Sequence, residues 1–75
     1  MSKAEIGDII RICRKENGWT QKELAEKVGV PSYMISFWET GREQPRKVLY
    51  SVFSELFGCD IEVLLGSGLY EKGQN

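Results

Sequence analysis

The chain has no histidine and only two cysteines, Cys13 and Cys59. Without histidine the commonest general base is missing. Two cysteines far apart in sequence supply none of the close Cys/His pairs that zinc sites use. Both stand in apolar company, Cys13 beside Ile12 and Cys59 near Ile61, and read as buried thiols acting as small hydrophobes. A phosphate-cradling glycine loop is missing as well, and 75 residues form a single domain with no room for a deep pocket beside its core. These absences exclude the usual enzyme classes, and neither a metal nor a cofactor is expected. Also missing is any apolar run approaching the roughly 18 residues of a membrane span, or a signal-peptide pattern at the start. The expectation is a cytoplasmic protein with no membrane partner.

Positive charge is scarce too. The formal net charge is −1 and the pI about 5.4, which by itself argues for no nucleic-acid partner. The distribution is uneven, however. From Met1 to Lys47 nine Lys/Arg stand against seven Asp/Glu, and from Val48 to Asn75 one stands against four. The cations therefore gather in the first two thirds of the chain.

Strand-like alternation is absent, and five helical segments read out instead. "SKAE" gives Ser2 and Glu5 the spacing of a capping box, followed by Ile6, Ile9, Ile10 and Cys13 at helical spacing and by a stop at Asn17-Gly18. "WTQKEL" repeats the box with Thr20 and Glu23, while Trp19 and Leu24 have the spacing of a hydrophobic staple. Leu24, Ala25 and Val28 form the inner face, and Gly29 ends the helix. A third helix runs from Pro31 or Ser32 to Thr40 with Ile35 and Trp38 inward, and Gly41 terminates it. A fourth spans about Arg46 to Phe57 with Leu49, Val52, Phe53, Leu56 and Phe57 on its apolar side. Asp60 caps a short fifth helix through Leu65. The expected architecture is all-α: a compact five-helix domain over residues 1–66 and a flexible tail over 67–75.

The order and spacing of these elements resemble one family. "TQKELAEKVGV", then Ile35, Ser36, Trp38, Glu39 and Gly41, then Pro45, then "LFG" and "D-E-LLG" resemble the helix-turn-helix domains of the lambda repressor and Cro type, often called Xre-type regulators. The resemblance spans about residues 5–66. It implies that the second helix crosses a DNA backbone while the third lies in the major groove. On that basis Ser32, Tyr33 and Phe37, with Met34 beside them, match base-reading positions. Gln21, Thr40, Arg42, Arg46 and Lys47 match positions that approach phosphates. Arg14 and Glu39 match a structural ion pair. Phe57, Leu64, Leu69 and Tyr70 are candidate dimer contacts, the first two being equally readable as core.

Two departures from the family's habit matter. Pro31 stands where the family places a Ser/Thr cap. The reading positions carry aromatic rings in place of glutamine, arginine or asparagine. Phe37 suits a thymine methyl and Tyr33 adds a hydroxyl, so preference for T-rich steps and a larger share of shape readout are expected. The resemblance thus implies a transcriptional regulator, expected to repress, acting as a homodimer on double-stranded DNA with two half-sites and needing no small-molecule ligand. The rival reading is a protein-interaction module on the same fold, an antitoxin or accessory factor, using the aromatic face of the third helix.

Overall fold

The computed structural model describes residues 5–67. Their helix boundaries follow the local chemistry of caps and stops. α1 covers Ile6–Glu16, α2 Gln21–Val28, α3 Ser32–Thr40, α4 Tyr50–Phe57 and α5 Ile61–Ser67, with a single 3-10 turn at Lys47–Leu49 before α4. The all-helical, five-helix expectation holds for this region, and no strand occurs among the described residues. The turn at Lys47–Leu49 replaces the first part of the longer fourth helix read from the sequence, because Leu49 N–H bonds back only three residues, to Arg46 C=O at 2.9 Å.

The start of α1 corrects the sequence reading. Glu5 is extended (φ −91°, ψ 152°) and is itself the residue before the helix, with no side-chain cap. A capping box would require Glu5 to be helical three residues inside. Ser2 lies outside the described residues. The second capping box does form: Thr20 Oγ1 accepts from Glu23 N–H at 3.0 Å, and Thr20 N–H donates to Glu23 Oε1 at 2.8 Å.

α2 and α3 are joined by Gly29, Val30 and Pro31 alone. Gly29 adopts φ 92°, and the Gly29 and Val30 N–H groups both return to Ala25 C=O, at 2.8 and 3.0 Å. This left-handed stop closes α2 and turns the chain within three residues. Pro31 is extended at the cap position, and its carbonyl accepts Met34 N–H at 3.0 Å, so it precedes the helix and does not begin it.

α1 lies at the centre and packs on α3, α4 and α5, while α2 packs on α3. Ile9, Ile10, Leu24, Ile35, Phe53 and Ile61 are fully buried, so every helix contributes an anchor to one core. Phe53 links the halves, meeting Trp38 edge-on (5.7 Å, 86°) and Phe57 face to face (5.9 Å, 7°). Gly7 sits at a close approach of α1 to α3. A Cβ there would overlap the Trp38 carbonyl oxygen, so the missing side chain lets α1 seat on the end of α3. α5 extends to Ser67, two residues past the helix end read at Leu65, and the remainder of the expected tail, with Leu69 and Tyr70, lies outside the described residues.

Candidate nucleic-acid interface

The short α2–α3 connection leaves one side of α3 uncovered. Ile35 and Trp38 face inward and are buried, while Ser32 and Tyr33 are exposed, Tyr33 by 56%. Tyr33 and Phe37 are four apart and share the outer face. Their rings meet edge-on at 5.5 Å and 69°. Met34, grouped with them in the sequence reading, is half-buried and packs on the core, which turns it away from the centre of that face. The opening this leaves is a surface of two hydroxyls and two rings, the Phe37 ring half-buried.

The end of α3 adds a cation to it. Gly41 takes φ 80°, Gly41 N–H bonds Trp38 C=O at 3.3 Å, and Arg42 N–H bonds Phe37 C=O at 2.9 Å. These are the two hydrogen bonds of a Schellman motif, which brings the residue after the glycine back over the residue four before it. Here the two are Arg42 and Phe37, and the guanidinium lies 4.7 Å from the ring centroid. No described carboxylate is paired with Arg42. The sequence reading names both residues but separates their roles. The signal that joins them is the position of Gly41, which fixes which two side chains meet.

The other phosphate candidates are placed differently. Thr40 donates its hydroxyl to Ser36 C=O at 2.9 Å and leans toward Phe37 C=O at 3.3 Å, so its single proton is engaged on its own helix. Arg46 is exposed. Lys47 is exposed as well and lines a groove of about 780 Å³ together with Glu55, Asp60 and Glu62. Those carboxylates share its field and lower its value to an anion.

Gln21 begins α2, as expected of a residue at an anion-facing helix end. Its amide Nε2 donates to Glu39 Oε1 at 3.1 Å, leaving one amide proton for an outside acceptor. Glu39 itself is held by Arg14, with Nε to Oε2 at 2.6 Å and Nη2 to Oε1 at 3.0 Å. The side chains are 11% and 4% exposed. Arg14 Nη1 also donates to Trp19 C=O at 2.9 Å. The geometry is bidentate and nearly dry, which makes this pair structural glue between α1, α3 and the start of α2.

Of the candidate dimer residues, Phe57 is half-buried and packs against the core. One ring neighbour is Phe53 and another is Trp19 at 6.2 Å, so both are protein contacts within the fold. Leu64 is half-buried against the same cluster. Among the described residues no His/Cys/Asp/Glu group is arranged to hold a metal, and no helix is long and apolar enough to cross a membrane.

Comparison with known proteins agrees with this geometry. The helix-turn-helix family profile matches residues 10–64. Antitoxin HipB of Escherichia coli (strain K12) is 31% identical over 64 residues, covering 79% of this chain and 73% of that protein. An uncharacterised helix-turn-helix transcriptional regulator of Archaeoglobus fulgidus is 42% identical over 55 residues, covering 73% of this chain and 79% of that protein. The P22 c2 repressor, solved in complex with a synthetic operator, superposes with a TM-score of 0.74 at 30% identity, over 84% of this chain and 96% of that one. The chain therefore belongs to the helix-turn-helix family and has the lambda-repressor-like form of its fold.

Proposed function

We propose that the chain is a sequence-specific DNA-binding transcriptional regulator, a binding protein and not an enzyme, that inserts α3 in the major groove. The observation that carries this reading is the uncovered face of α3, where Tyr33, Phe37 and Arg42 stand together beyond a fully packed helix pair. A face of that shape offers rings to thymine methyl groups and a cation to the backbone. The P22 c2 repressor, solved in complex with an operator, supports the same use. The finer reading is a repressor acting as a homodimer on two half-sites about 34 Å apart, since one small domain buries little surface for tight specific binding.

A second reading is favoured by the same aromatic face and by the relative named as an antitoxin: Tyr33 and Phe37 would pack against a protein. Selection of duplexes from a random DNA pool, with affinity then followed against salt, separates the two. An enriched two-half-site motif, richer in T and weakening steeply with salt, supports the regulator. Well-folded protein that enriches nothing would transfer the face to a protein partner.

A further inference from the structure

The α3 terminus holds more than a set of neighbouring side chains. The Schellman hydrogen bonds fix where the Arg42 backbone lies relative to Phe37. The contact between those two positions is commonly apolar on apolar. Here it is a guanidinium on a ring, and the same ring also meets Tyr33 edge-on. Tyr33, Phe37 and Arg42 thus form one continuous row of contacts from the first turn of α3 to the residue after Gly41. An unstacked exposed arginine would sample many rotamers and lose them on meeting a phosphate. A stacked one has already lost much of that freedom.

We propose that Phe37 is the positioning residue for Arg42, so that the ring offered to the bases also fixes the guanidinium offered to the backbone. This rests on the DNA-binding reading above and deepens it: base contact and phosphate contact of α3 form one mechanical unit. The predicted consequence is coupling between two residues whose functions are otherwise independent.

The test is a double-mutant cycle on Phe37→Leu and Arg42→Ala, read on a duplex lacking the selected motif, where base reading contributes nothing. Phe37→Leu should weaken binding by about two- to five-fold when Arg42 is present, the size of an exposed cation–π contact. It should cost nothing in the Arg42→Ala background, and Phe37→Tyr, which keeps the ring, should restore the coupling. Independently of DNA, the Arg42 side-chain protons should show upfield ring-current shifts in NMR spectra that vanish in Phe37→Leu. Equal losses in both backgrounds, or shifts unchanged by the substitution, would overturn the positioning role and leave the DNA reading intact. Failure of the unmodified protein to bind either duplex would remove the DNA reading, and the role with it, whatever the NMR shifts show.

Discussion

Three donors converge on the Glu39 carboxylate: Arg14 Nε and Nη2, and Gln21 Nε2. Because the ion pair is almost dry, removing one partner strands the other without compensation. Glu39→Gln or Arg14→Met should each cost about 3–5 kcal/mol in a urea unfolding curve. The combined Arg14→Met/Glu39→Leu chain should lose less than either single variant, since two apolar side chains of similar volume avoid the desolvation that ions suffer. A double variant as weak as the sum of the singles would mean that the two side chains act independently and that neither is stranded by loss of the other. Cys13 makes a parallel case for one group. Burial, and next the neighbouring Cys59, push its thiol from 9.0 to about 12. The folded state favours the protonated thiol, so this contribution is complete below about pH 9 and is lost as pH rises toward 12. Stability should fall through that alkaline window, and Cys13→Ala should flatten the fall. Neither contact is written in sequence spacing. Arg14 and Glu39 are 25 residues apart, so only resemblance pairs them, and the two cysteines read as far apart until the fold makes them neighbours. The Gln21 amide goes unread because glutamine suits any exposed helix start.

At the scale of elements the legible features are those with a local cause. The Thr20–Glu23 box, the Gly29 stop and the Gly41 stop each depend on residues within one turn, and each forms as its chemistry dictates. The Ser2–Glu5 spacing has the same letters without the structure, because a capping box names a possibility that Glu5, extended, does not take up. What sequence leaves unread is where two helices touch. Gly7 is the clearest example. In a helix interior Gly→Ala ordinarily stabilises by about 0.5–1 kcal/mol. At Gly7 the new Cβ would meet the backbone of Trp38, which a side-chain rotation cannot relieve. Gly7→Ala should therefore destabilise by about 1–3 kcal/mol. Gly66, helical in α5 with no described atom near a Cβ, is the control and should show the ordinary sign, up to about 0.5–1 kcal/mol of gain. If both substitutions stabilised, α1 would have to sit farther from α3 than the structure places it.

For the whole molecule the deciding quantity is how a chain of net charge −1 meets a polyanion. A uniform field would repel, so attraction must come from where the charges sit. Arg42, Arg46 and Lys47 follow α3, whereas Glu55, Asp60 and Glu62 belong to α4 and the start of α5. The proposed interface therefore draws on the segment after α3, and Lys47 marks its limit, where the groove lined by Glu55, Asp60 and Glu62 begins. Salt dependence then reports how many copies bind. Each neutralised phosphate contributes about −0.9 to the slope of log affinity against log salt. Three cations on one protomer would give a slope of about −3 and lose on the order of 40-fold between about 50 and 200 mM salt. Two protomers engaging two half-sites would double the slope and lose on the order of 10³-fold. The steeper line, with two chains per duplex by sedimentation, is the expected outcome. Arg42→Ala should then flatten the slope by about 2, one contact per protomer, on every sequence alike. A slope of about −3 with one chain per duplex would confine the proposal to a monomer, while a slope near zero would indicate that the α3 face meets something other than phosphate.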